Sequence, residues 1–95
     1  MAMVTSFVLI NALPDRTAAL AEALAELDDV SEVYSVAGDV DLVAVVRVRH
    51  HEELADVVTK HIACLDGIVS THTLVAFRAY SRRDLDAMWA IGADG

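Results

Sequence analysis

Two aspartates set one residue apart, Asp39 and Asp41, follow Gly38 in the run Ser35-Val36-Ala37-Gly38-Asp39-Val40-Asp41-Leu42-Val43, and further on Thr71 and Thr73 repeat that spacing. A carboxylate in such a turn accepts hydrogen bonds from an ammonium group, turn N–H groups near a glycine form an anion nest, and threonine hydroxyls complete a polar shell. A free amino acid asks for that set: acceptors for its ammonium, donors for its carboxylate and a fitted pocket for its side chain. The same residues also suit a plainer role, with the acids solvating a hairpin tip and the threonines serving as ordinary strand residues. The residue types alone leave both readings open. A hairpin-tip acid is expected to contribute little to the core.

Other candidate groups offer less chemistry. His50, His51, His61 and His72 show no ligand spacing on one helix face, so helix-end and surface histidines are expected and no metal. Cys64 has no sequence-adjacent activating partner and reads as a structural thiol. Arg47 and Arg49 alternate onto one strand face, where pairing with acids of another subunit is expected. Arg82-Arg83 reads as a solvated or capping pair. No catalytic set and no cofactor is implied.

The elements that must position these residues follow from periodicity and composition. The chain has 95 residues, 56% of them hydrophobic, which is one domain with more apolar surface than a small core needs. Every apolar run is broken before the roughly 18 residues of a membrane span, and the N-terminus lacks the pattern of a signal peptide, so a soluble, cytoplasmic protein is expected. Fifteen acids against seven Lys and Arg give a net charge of −8, which excludes general attraction to nucleic acid for the chain acting alone.

Met3 to Ile10 is rich in β-branched and aromatic residues and predicts a first strand. Pro14-Asp15 suits a helix entrance, and Leu20, Leu24 and Leu27 predict a helix from about Arg16 to Leu27. Val30 to Ala37 predicts the second strand, Gly38-Asp39 a hairpin connection, and Asp41 to Arg49 the third strand, with Leu42, Ala44, Val46 and Val48 on its helix-covered face. His50-His51-Glu52-Glu53 opens a second helix whose stripe of Leu54, Val57, Val58, Ile62 and Leu65 runs to a stop at Asp66-Gly67. Ile68 to Tyr80 predicts a long fourth strand. Ser81-Arg82-Arg83-Asp84 reads as a capping box before Leu85, Met88 and Trp89, which predicts a short C-terminal helix.

The order β-α-β-β-α-β, joined by right-handed crossovers, gives an α+β, ferredoxin-like fold: a four-stranded antiparallel sheet, two helices on one face and the C-terminal helix. Residues 1–80 form the domain and 81–95 a helical tail. The other sheet face is left without cover. Four strands about 4.8 Å apart and about 20 Å long make it roughly 400 Å² in plan, much of it Val and Phe. Monomers seldom expose such a patch, so this face is expected to pack on a second copy in a two-fold dimer.

Gly38-Asp39-Val40-Asp41, followed by Leu65-Asp66-Gly67-Ile68-Val69-Ser70-Thr71-His72-Thr73-Leu74-Val75, resembles the effector-binding (RAM) domain of the Lrp/AsnC transcriptional regulators. That pattern is a glycine-acid-aromatic-acid hairpin, then a leucine-proline-glycine turn leading into a threonine-x-threonine strand. Val40 replaces the usual aromatic and Asp66 the usual proline. The resemblance implies a dimeric α/β barrel that assembles further, often into an octameric ring, with amino-acid effectors bound between dimers. Gly38, Asp39, Val40 and Asp41 would line one wall of that site, and Thr71, Thr73 and Leu74 the other. Members usually carry a helix-turn-helix, whereas strand one here begins at Met3, so the chain resembles the stand-alone effector domain.

Two functional classes follow. The first is a non-enzymatic, ring-forming amino-acid sensor that tunes transcription and reaches DNA only through full-length family members. The second is a small cofactor-free enzyme, monooxygenase or isomerase in type, on the same dimeric barrel; it would need an acid, base or aromatic group in the cavity between sheet and helices, where Val, Leu and Ala predominate. An ACT domain shares the element order but would bind its ligand at a different interface. The first reading is preferred.

Overall fold

Alternation along the first strand sends Ser6, Val8, Ile10 and Ala12 to one face, where all four are buried. The computed structural model describes residues 3–80 and residue 82. In it, β1 (Val4–Ala12) is followed by a single 3₁₀ turn at Pro14–Arg16, then α1 (Thr17–Ala25), β2 (Val30–Ser35), β3 (Leu42–Val48), α2 (His51–Asp56) and β4 (Ile68–Val75). The strand order is β2-β3-β1-β4 with every pair antiparallel, the ferredoxin-like arrangement expected. Across the sheet, Val8 stands opposite Ala44 and Thr73, and Phe7 opposite Val45 and Leu74.

One core joins sheet and helices. Leu20 and Leu24 of α1, with Leu54, Val57 and Ile62 of the second helical region, bury against Val8, Ile10, Leu42, Ala44, Val46 and Val48. Arg47, Val43 and Val45 alternate to the other face, as do Phe7 and Leu9 of β1, so the sheet has one covered side and one open side. Val45 is nonetheless buried, between Phe7 and Glu32 on the neighbouring strands.

Element ends depart from the sequence expectation for local reasons. The first helix opens as a 3₁₀ turn and is regular only to Ala25, closing through tighter bonds from Glu26 N–H to Ala23 O and Leu27 N–H to Leu24 O. The second helix does not stay α-helical: after Asp56 it widens into a π-helical segment, Val57–Ile62, in which Ala63 N–H donates to Val58 O. Val57 and Ile62 lie five apart; α winding would splay them by about 140°, whereas i→i+5 winding lets both reach the core.

β2 stops at Ser35 because its pairing with β3 ends at Ser35 and Leu42. The connection is therefore wider than a two-residue hairpin: Val36 N–H donates to Asp41 O, closing a loop of Ala37, Gly38, Asp39 and Val40. β4 ends at Val75 rather than Tyr80. Its one neighbour among the described strands, β1, begins at Val4, and one more bond, from Ala76 N–H to Thr5 O, finishes the ladder. The expected C-terminal helix lies, apart from Arg82, outside the described residues.

Candidate functional site

The loop before β3 is built on a glycine and an acid with different duties. Gly38 has φ +146°, in the region that favours glycine, with open space where a Cβ would stand. Asp39 beside it is exposed and Val40 half-buried. Asp41 turns inward: its Oδ2 accepts the N–H of Ala12 at 2.9 Å, and its own N–H donates to Ile10 O at 3.0 Å. The acid thus clasps the loop to the end of β1. That corrects the expectation of a tip carboxylate with little structural part.

Thr71 pairs with Ile10 from the other side of β1. Leu42 and Thr71 therefore flank Ile10, two strand spacings or about 10 Å apart, and Asp41 lies one residue before Leu42. Thr71 is exposed and Thr73, opposite Val8, half-buried; both share the side of the sheet that bears the helices. Leu74, opposite Phe7, lies on the open side, so the side chains of the three residues do not converge. No hydrogen bond among the described residues joins the loop to the threonines, and β1 lies between them.

Two polar groups at this end of the sheet escaped the sequence reading. Asn11 Nδ2 donates to Ser70 Oγ at 3.3 Å, and the Ala12 N–H serves Asp41. The signal available was a lone Asn closing an apolar run before Pro14, which reads equally as a simple break.

A second polar cluster lies on the open face. Arg47 Nη1 donates to Ser31 Oγ at 2.7 Å and sits 3.7 Å from Glu32 Oε1, so its acid partner is on the neighbouring strand of the same sheet. The expected acid of another subunit is not required. Tyr34 OH donates to Glu32 Oε2. That hydrogen bond, with the charge of Glu32, holds the phenol above its ordinary value of 10.0, while Arg47 pulls the other way. Phe7, Tyr34 and Leu74 remain exposed on this face at 38%, 50% and 45%.

Among the described residues, no group of three or more His, Cys, Asp or Glu side chains is placed to hold a metal, and no helix is long and apolar enough to cross a membrane. Cys64 is exposed.

Comparison with known proteins decides the family. The Lrp/AsnC ligand binding domain matches residues 5–85. The chain belongs to the Lrp/AsnC family. Among curated relatives, this Lrp/AsnC chain is 29% identical over 75 residues to the HTH-type transcriptional regulator FL11 of Pyrococcus abyssi, covering 79% of this chain and 49% of that one. It is 36% identical over 76 residues to an HTH-type transcriptional regulator of Pyrococcus furiosus, covering 77% and 51%. The chain spans about half the length of the curated relatives it matches.

Among solved structures, TTHA0845 from Thermus thermophilus is 57% identical with a TM-score of 0.78, over 83% of this chain and 99% of that one. AsnC of E. coli is 27% identical with a TM-score of 0.79, over 84% and 54%. The Lrp/AsnC ligand-binding domain is thus present in its regulatory family's fold, and the matched relatives are transcriptional regulators.

Proposed function

We propose that this domain is a non-enzymatic, cytoplasmic sensor of an amino acid or related small metabolite, that it tunes transcription, and that it reaches DNA through a partner regulator. The observation that carries the reading is the match to a ligand-binding domain of transcriptional regulators over residues 5–85. The chemistry of the loop agrees with it. Asp41 spends Oδ2 on Ala12, which leaves Oδ1 and the exposed carboxylate of Asp39 as acceptors for an ammonium group.

In this reading residues 1–80 are the effector domain and 81–95 a helical tail. The open sheet face packs on a second copy to form the barrel, because exposed Phe7, Tyr34 and Leu74 form an apolar surface that association would cover. Dimers assemble further, to an octamer or similar ring. The effector then sits between dimers, with Gly38, Asp39, Val40 and Asp41 from one side and Thr71 and Thr73 from the other, while Leu74 belongs to the dimer face. A net charge of −8 argues against direct contact with DNA by this chain alone.

Native mass spectrometry of the purified protein, alone and with each amino acid in turn, tests this. The expected result is a multiple-of-dimer ring that retains or responds to one of them. A plain dimer indifferent to all would overturn the sensor reading.

A further inference from the structure

Among the described strands, β2 and β4 end the sheet, and each lacks a neighbour on one side. On β4 the Ala76 N–H donates to Thr5 O, so alternation turns the backbone groups of His72 and Leu74 toward β1 and those of Thr71, Thr73 and Val75 away from it. On β2 the Val36 N–H donates to Asp41 O, which turns the backbone of Tyr34 toward β3 and those of Val33 and Ser35 outward. We propose that these two edges join copies of the chain: β4 of one dimer takes β2 of a copy in the next dimer as a further antiparallel strand. This rests on the ring assembly of the proposed function and names the contact that builds it.

Edge composition is the first argument. Exposed edges are normally blunted by charge or proline, and one that is not is a template for another strand. β4, Ile68–Val75, carries no Lys, Arg, Asp, Glu or Pro, and its Thr71 and Val75 are exposed. Charge then selects the occupant. Asp28 and Asp29 precede β2, and Arg78 and Arg82 follow β4, so antiparallel pairing brings opposite charges to the same end. Two β2 edges paired in this way would instead set Asp28 and Asp29 toward the loop that carries Asp39 and Asp41.

The faces of the two strands also agree. Val33 stands opposite Ala44 and Thr73 opposite Val8, which puts both on the helix-bearing side, while Tyr34 and His72 take the open side. Opposing Ser35 to Thr71 and Val33 to Thr73 keeps each face of the sheet continuous and sets two hydroxyls side by side. Within one subunit β1 separates the loop from the threonines. This pairing carries the neighbour's loop, which follows its Ser35, to Thr71. The contact is head-to-tail, the type that generates rings.

Proline tests the edge, because the Thr73 N–H points outward and serves no backbone bond among the described residues. By sedimentation velocity, Thr73→Pro should reduce the wild-type ring to dimers with unchanged circular dichroism, while Thr73→Ala, which keeps the N–H, should retain the ring. In a Cys64→Ser background, Ser35→Cys combined with Thr71→Cys should form a disulfide under mild oxidation. That bond must be intermolecular, since β2 and β4 of one subunit lie three strand spacings or about 14 Å apart. Neither single variant should cross-link, and the disulfide decides the question if the proline disturbs the fold. A ring intact in Thr73→Pro, no disulfide in the double variant, or Thr71→Cys cross-linking alone as two β4 edges would, overturns the pairing and leaves the sensor reading standing. A ring that Thr73→Pro dissolves but no amino acid affects supports the pairing and sinks the sensor reading. A wild type that stays a plain dimer overturns both.

Discussion

Asp41 and Ala12 are joined by a 2.9 Å hydrogen bond from the Ala12 N–H to Asp41 Oδ2, although they lie at the ends of different strands and far apart in sequence. The bond supplies a partner to a part-buried N–H beyond the point where the pairing of β1 with β3 ends, at Ile10 and Leu42. Asp41→Ala should therefore lower stability by about 1–2 kcal/mol in urea unfolding, the cost of stranding that donor. Asp41→Asn keeps an acceptor oxygen and should cost less than half as much. Equal losses in the two variants would mean that the bond contributes nothing.

Tyr34 and Glu32 form a pair that responds to pH. The folded protein holds the Tyr34 proton more tightly than the unfolded chain, because ionised Glu32 accepts its hydrogen bond and repels a phenolate. The stabilising contribution is complete below the ordinary value of 10.0 and is lost as pH rises through the higher folded-state value. In a Tyr80→Phe background, phenolate absorbance should report a midpoint above 10.0 for Tyr34 that falls when Glu32→Gln is added. An unmoved midpoint would dissolve the pairing.

Gly38 and Gly67 both hold positive φ, yet a methyl group meets different surroundings. At Gly67, φ is +94° and an added Cβ would stand 2.6 Å from Arg16 Cβ, which the 3₁₀ turn fixes in place. Gly67 O also accepts from Leu13 N–H at 2.8 Å, so the backbone has little room to retreat. Gly67→Ala should cost about 2–4 kcal/mol. Gly38→Ala meets nothing within 4 Å and should cost about 1 kcal/mol, for conformation alone. Denaturant midpoints in the reverse order would refute this ranking.

Ser6 sits wholly buried among apolar neighbours, opposite Val46 and Val75, and its hydroxyl has no hydrogen-bond partner among the described residues. Such a group loses water without recompense. Ser6→Ala should raise stability by about 1 kcal/mol, read as a higher urea midpoint. A clear loss of stability would show that the hydroxyl is bonded in solution.

How much of this was legible beforehand varied by element. The β-branched run from Val4 and the alternation Leu42, Ala44, Val46, Val48 identify strands and faces directly, because burial on one side forces period two. Helical stripes at Leu20 and Leu24, and at Leu54 and Val57, were equally plain. The π-helical Val57–Ile62 was not, since five-residue spacing can be read into an α-helix with one residue off the stripe. Nor was the inward turn of Asp41 or the pairing of Arg47 with Glu32, because both depend on which strand lies next to which. Local pattern carries the first kind of information and only register the second. For the candidate site, resemblance alone set the Asp41 loop beside Thr71 and Thr73; the sheet puts β1 between them, and the opposite facing of Leu74 follows from its partner Phe7.

That facing separates two roles for β4. Leu74 and Phe7 stand side by side on the open face, whereas Thr71 and Thr73 stand on the other. If the open face forms the dimer, Leu74→Glu places a charge in an apolar interface, where an unpaired carboxylate is strongly unfavourable. Analytical ultracentrifugation should then show at least a tenfold rise in the dimer dissociation constant, with the monomer still folded by circular dichroism. Thr71→Ala, on the opposite side, should leave dimerisation within about twofold, since surface changes away from the contact shift free energies little. A Leu74→Glu protein that dimerises like the wild type would place the interface elsewhere and return Leu74 to the effector site.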